Sequence, residues 1–200
     1  MNIDPLAEKI TVYAGGVLPP SRYEHSLRTA ETAAQLCRRF GIDPAKGRLA
    51  GIGHDICKTA STRMLFTLSE QDGVPITLLE KEKPSLLHGR AAAVMLRTDF
   101  GVDDEELLDA IRNHTFGRPG MGLLAKILYV ADKIEPGRDH ISKKQREEMF
   151  LMDIDDMVRT VITENIEYLK KKSREISPLT QDLLRSLAVT DNTGTLSPVN

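Results

Sequence analysis

The sequence predicts an all-α fold. No stretch of its 200 residues alternates apolar and polar side chains with period two, while apolar residues recur at helical spacing through most of the chain. Capping residues, prolines and glycines punctuate those runs as helix starts and stops. A third observation concerns chemistry: His25, His54-Asp55, His88, His114 and Asp132 follow one another inside these helical runs, with no two ligand-type residues in a tight loop.

Asp4-Pro5 predicts a first helix with proline in its first turn, stopped at Gly15-Gly16. Pro20 forces an extended entry, and Ser21-x-x-Glu24 reads as a capping box for a second helix. Leu27, Ala30, Ala33, Ala34, Cys37 and Phe40 recur along it up to Gly41. Asp43-Pro44 opens the third, which carries Leu49, Ile52 and Ile56 and brings His54-Asp55 near its end. Ser61 or Thr62 caps a segment ending at Gly73, and a less regular stretch runs through Pro75 and Pro84. His88 begins a helix that stops at Gly101, and Asp103 caps the next, with His114 in its last turn. Further helices are expected over 121–134, in a short piece capped by Ser142, over 155–176, and after Ser177-Pro178. Residues 1–140 read as the core, 141–190 as a C-terminal helical appendage packed on it, and 191–200 as a disordered polar tail.

A net charge of −2 with acidic and basic residues interspersed argues against nucleic-acid binding, and leaves room for a local basic cluster and a small anionic substrate. Cys37 and Cys57 sit in apolar helical stretches and read as small buried hydrophobes, too few for a disulfide framework or a thiolate zinc site. The segment MNIDPLAEKI carries charges where a signal peptide is apolar, and the most apolar run, 121–131, is too short to span a bilayer and contains Lys126. A cytoplasmic protein without a membrane span is the expectation. Nothing fixes its oligomeric state, and a homodimer stays open.

Imidazole and carboxylate together hold first-row transition metals with coordination positions left open, and a carboxylate beside a ligating histidine is well placed to bridge two ions. Each member of the set also has an ordinary reading. His25 shares a mixed face with Thr29, Thr32 and Leu36, and alone it reads as a packed or surface histidine. Asp55, in LAGIGHDICK, is surrounded by small and apolar residues and needs a cationic partner, either a metal or Lys58 at i+3. Asp132, in AKILYVADKIEPGR, has a metal or an ion pair with Lys133 or an arginine as its alternatives. His88 and His114 have surface or helix-end readings, and His140 in its charged stretch reads as solvated. GRPGMGLLAK lacks the Lys-Ser/Thr that a Walker A loop requires, although Arg118 lies close in sequence to His114.

Taken together, the ordered set resembles the HD-domain metal-dependent phosphohydrolase superfamily. Within it, RYEHSLRTAETAAQL, AGIGHDICK, LLHG, AIRNHTFG and ILYVADKIEPGR are similar to the YqeK-type family of bacterial symmetrical diadenosine tetraphosphatases. The resemblance spans roughly residues 18–140 and implies a helical HD-domain bundle with a dinuclear centre. It implies His25, His54 and Asp132 on one ion, His88 and His114 on the second, and Asp55 bridging. The metal it implies is iron, while imidazole and carboxylate without thiolate also suit manganese, cobalt, nickel or zinc. Lys58 matches the family's lysine one turn after the His-Asp pair, a phosphate contact, and Thr115, Gly117 and Arg138 fall in family motifs around the pocket. Phe116, Gly122 and Ala125 depart from the threonine, serine and glutamate that the family pattern leads one to expect.

Two ions about 3.5–4 Å apart can share a water, lower its pKa and hold the resulting hydroxide for in-line attack on phosphorus. Lys58 and Arg118 are then expected to stabilise the developing charge. The ligands alone imply hydrolysis of a phosphoester or phosphoanhydride; a dinucleoside polyphosphate substrate, cleaved to two ADP, follows from the resemblance. Two alternatives remain at this stage: an enzyme of the same superfamily acting on another nucleotide, and a nucleotide-sensing adaptor without turnover.

Overall fold

The computed structural model describes residues 3–139, 141–173 and 175–187; His140 and the expected tail 191–200 lie outside them. Every regular element among the described residues is helical, and the fold class is all-α. In chain order these are α1 (Ile3–Val17), α2 (Pro20–Phe40), α3 (Pro44–Gly53), α4 (Thr62–Ser69), α5 (Leu78–Glu82) and α6 (His88–Phe100). Then come α7 (Glu105–Asn113), α8 (Leu123–Ile134), α9 (Lys143–Met149), α10 (Ile154–Lys171) and α11 (Pro178–Ser186). None of them is long and apolar enough to cross a membrane.

Several boundaries differ from the sequence expectation, each for a local reason. Gly15-Gly16 does not stop α1: the Leu18 amide still bonds the Ala14 carbonyl at 2.9 Å, and the helix ends where Pro19-Pro20 forces extended backbone. Pro20 is itself the first residue of α2, so the cap position falls on Pro19 and Ser21 makes no capping bond. Asp104, not Asp103, caps α7 by accepting from the Leu107 amide at 3.1 Å. The irregular stretch holds the short α5, closed by a capping box between Thr77 and Glu80. Helix α10 stops at Lys171, short of residue 176, because the chain turns through a left-handed conformation at Ser173.

The core is centred on α2, α3 and α8, with α6 and α7 packed on one side and α10 against α8. Leu36, Leu49, Leu96, Leu107, Leu128 and Tyr129 are fully buried in it. What brings α2 and α3 so close is an absence of side chain. A Cβ on Gly51 would stand 2.3 Å from Ala30 Cα, and one on Gly47 would stand 2.6 Å from Cys37 Sγ and 2.8 Å from the Ala33 carbonyl oxygen. Small residues facing small residues put the two backbones in contact, and this contact draws His25 on α2 toward His54 at the end of α3.

That contact makes a prediction. Gly51→Ala forces a methyl into α2 backbone, which cannot rotate away, and is expected to cost at least about 1–3 kcal/mol. Gly16→Ala, on the exposed face of α1 with nothing within 4 Å of its added Cβ, should be neutral or stabilise by up to about 1 kcal/mol. Thermal melts of the two variants decide the matter, and a Gly51→Ala protein as stable as the parent would contradict the close-contact account.

Candidate metal centre

Four histidines reach the centre of the bundle from four helices. His25 lies in the second turn of α2, His54 ends α3, His88 opens α6 and His114 ends α7. Asp55 follows His54 in a tight turn, closed by the Lys58 amide on the Asp55 carbonyl at 2.8 Å. Asp132 comes from the last turn of α8. All four rings are buried, His54 completely, and Asp55 is only 2% exposed.

Each ring is held by its Nδ1. That atom of His54 faces the Gly51 carbonyl at 2.7 Å, that of His88 the Ser85 carbonyl at 2.7 Å, and that of His114 the Ile111 carbonyl at 2.8 Å. These are carbonyls three residues back, in the last turns of α3 and α7 and in the turn before α6. On His25 the partner is Glu135 Oε1 at 3.1 Å. Oxygens of this kind only accept, so each Nδ1 donates to its partner, and Nε2 of each neutral ring is left to offer its lone pair.

Those lone pairs converge in two groups. In the first, His25 Nε2 and His54 Nε2 are 3.3 Å apart, and Asp132 Oδ1 lies 3.0 Å from the former and 3.7 Å from the latter. Asp55 Oδ2 completes it at 3.9 and 3.6 Å from the same nitrogens. In the second, His88 Nε2 and His114 Nε2 are 3.0 Å apart, with Asp55 Oδ1 at 3.0 and 3.7 Å. Asp55 thus gives one oxygen to each group, and its Oδ1 is buried without an aligned hydrogen-bond donor. Acceptors facing acceptors at these distances repel unless a cation lies between them. His25, His54 and Asp55, and Asp55, His88 and His114, are two sets able to hold a metal ion. Nitrogen and oxygen donors without thiolate suit a first-row transition metal. Cys37 and Cys57 sit elsewhere in the core, where burial pushes their thiols up to about 11 and about 12.

The surrounding charges answer this density of acceptors. Burial works against ionisation of Asp55, but the histidines around it and Lys58 outweigh that cost and hold its carboxyl well below the usual range. Lys58 Nζ stands 3.5 Å from Asp55 Oδ1 and 3.0 Å from His88 Nε2, and Arg22 donates to Asp55 Oδ2 at 3.2 Å. Both ion pairs open to Asp132 in the sequence are present: Lys133 at 3.1 Å and Arg138 at 2.7 Å. Burial drives His54 down to about 3, which keeps it a neutral donor. At Glu135, burial is overcome by hydrogen bonds from His25, Arg28 and the Gly137 amide, which draw it down to about 2.

A cavity of 810 Å³ opens beside the two groups, and Lys58, His114, Thr115, Asp132 and Arg138 line one end of it. Two expected pocket residues are placed differently. Arg118 is drawn off by Asp109, which its guanidinium meets at 2.9 and 3.0 Å, and it does not line the cavity. Gly117 does not line it either. It turns the chain with φ +67° under Leu183 of α11, at a spot where a Cβ would collide with that side chain. Sequence reasoning gave no role to Arg22 or Glu135, and saw Lys133 only as an ion-pair partner. Lys133 also lines the cavity, donates to the His114 carbonyl at 3.1 Å and lies 3.9 Å over the Tyr129 ring. No local signal marked Glu135, because its partner His25 lies 110 positions away in the sequence.

Glu135 fixes the tautomer and the angle of His25, so its removal should weaken metal binding without touching a ligand. Glu135→Ala is expected to lower affinity about 10- to 100-fold, and Glu135→Gln, which keeps an acceptor, by less. Metal titration followed by calorimetry checks this, with circular dichroism confirming that the fold survives. Unchanged affinity in Glu135→Ala would contradict the role.

Comparison with known proteins places the chain in a family. The model of the HD domain family matches residues 22–137, a span that contains His25, Asp132 and Glu135. A Bacillus subtilis protein named symmetrical bis(5'-nucleosyl)-tetraphosphatase is 36% identical over 161 residues, covering 80% of this chain and 86% of that protein. A Staphylococcus aureus protein of the same name is 40% identical over 138 residues, 69% of each chain. The crystal structure of a predicted HD superfamily hydrolase involved in NAD metabolism from Clostridium acetobutylicum superposes with a TM-score of 0.81 at 32% identity, covering 90% of this chain and 95% of that one. With the family pattern running through every helix that carries the cluster, this chain belongs to the HD domain family.

Proposed function

We propose that this protein hydrolyses diadenosine tetraphosphate symmetrically to two ADP, at a dinuclear centre held by His25, His54, Asp55, His88, His114 and Asp132. The observation that carries the reading is the split of Asp55 between two histidine pairs, Oδ2 toward His25 and His54, Oδ1 toward His88 and His114. The two relatives named as symmetrical tetraphosphatases support the substrate. Iron is the ion we favour, and the donor set equally accepts manganese, cobalt, nickel or zinc. Residues 1–140 then form the catalytic core, and 141–190 a C-terminal helical appendage packed on it.

Held by these six residues, two ions would supply the Lewis acidity that activates water and neutralises phosphate oxygens. The chain supplies the rest. Lys58 is tethered at the cavity wall between Asp55 and His88, within reach of a central phosphate, and its ammonium offsets charge building on the oxygens. Arg138 clamps Asp132 through both its carboxylate, at 2.7 Å, and its carbonyl, at 2.8 Å, and so fixes that ligand while adding positive potential. The Thr115 hydroxyl, 3.5 Å from His114 Nε2, offers a neutral donor at the cavity edge. Water adds to one central phosphorus, the bond from that phosphorus to the bridging oxygen breaks, and a proton reaches this oxygen as it departs on the other central phosphorus. Each half leaves as ADP.

Chromatography of the products tests this. Metal-replete protein is expected to convert diadenosine tetraphosphate to ADP as the sole nucleotide product. Equimolar ATP and AMP would mean asymmetric cleavage, and tight binding without turnover would favour the adaptor; either contradicts the reading.

A further inference from the structure

The cavity beside the ligand cluster has two walls of different character. Lys58, Lys133 and Arg138 gather at the end next to His114 and Asp132. Helix α10 forms the other wall. Val161, Glu164, Asn165, Tyr168 and Lys171 recur there at i, i+3, i+4, i+7 and i+10, a single face of the helix, with Glu167 beside them. The base of α10 is fixed, because Met157, Val158, Val161 and Ile162 are buried in the common core.

A polyphosphate in this cavity is attracted to the end where Lys58, Lys133 and Arg138 gather, and repelled by Glu164 and Glu167, whose charge Lys171 offsets only in part. What faces α10 is then the uncharged part of the substrate. Ribose hydroxyls donate to a carboxylate, and the amide of Asn165 offers the donor and acceptor that a purine edge asks for. Tyr168 is 52% exposed yet lines the cavity, in a chain with four tyrosines and no tryptophan. An accessible ring at a nucleotide cavity is a stacking platform, tolerant of which base it meets.

Resting on the tetraphosphatase reading above, we infer that the α10 face is the nucleoside subsite. Tyr168 stacks on the base, Asn165 bonds its edge and Glu164 accepts from the ribose, which leaves the phosphates directed at Lys58. This subsite is what distinguishes a nucleotide from a bare polyphosphate.

Calorimetry on the metal-replete full chain tests it, with ADP and pyrophosphate as separate probes. Tyr168→Ala and Asn165→Ala are each expected to weaken ADP binding about tenfold and to leave pyrophosphate binding as in the parent. Tyr168→Phe should keep the parent's affinity for ADP, since the stacking ring remains. The inference falls if the parent does not bind ADP, if the alanine variants bind ADP normally, or if they lose ADP and pyrophosphate together. A change of oligomeric state in Tyr168→Ala at unchanged ADP affinity would make α10 a contact between copies and also overturn it. A parent that binds ADP through α10 but yields no ADP from diadenosine tetraphosphate would contradict the proposed function while leaving the subsite in place.

Discussion

A carboxylate placed between two pairs of imidazole lone pairs, 2% exposed, is the arrangement on which the rest of this structure depends. Burying Asp55 with one oxygen lacking a hydrogen-bond donor costs several kcal/mol unless positive charge meets it. Arg22 and Lys58 approach from the open side and offset part of that cost. The histidines ease it further where they carry charge, and once neutral they turn Nε2 lone pairs toward it, because each Nδ1 donates elsewhere. The site is therefore built to receive cations, and its polarity follows from which ring nitrogen the backbone engages.

Helix ends do the positioning. Three of the four rings bond the carbonyl three residues back, at the end of α3, at the end of α7 and in the turn before α6. A helix terminus thus engages one of its own last carbonyls and aims a ligand in the same stroke. The glycine contact between α2 and α3 sets the distance between His25 and His54, and Arg90 anchors the loop before His88. That guanidinium, almost fully buried, bonds both Asp72 oxygens and the Ser69 and Val74 carbonyls. Packing far from the chemistry decides whether the ligand atoms meet.

Much of this was legible in the sequence where one residue's chemistry settles one question. Asp43-Pro44, Ser61, Ser142, Gly41 and Gly101 mark helix ends because caps and left-handed glycines act locally. Asp55 and Asp132 stood out because a carboxylate in an apolar run demands a partner. What was hidden depends on tertiary distance. Nothing local distinguishes Glu135, 1% exposed against His25 from a hundred and ten positions away, from an ordinary surface glutamate. Arg118 looked well placed by proximity to His114, but Asp109, nine residues earlier on α7, takes its charge. Gly15-Gly16 looked like a stop, and the two prolines that follow were the stronger signal. The face that α10 turns to the cavity was likewise invisible, since only the packing of α10 on α8 brings it there.

The central claim is that Asp55 serves two ions at once, and metal content measured beside activity tests it most directly. The parent protein, purified without chelator and loaded, should hold two ions per chain. Asp55→Ala should hold fewer than two and lose turnover, with its helices intact by circular dichroism, since position 55 lies in the turn after α3 and not in a helix. An Asp55→Ala protein that keeps two ions and near-normal activity would contradict the account.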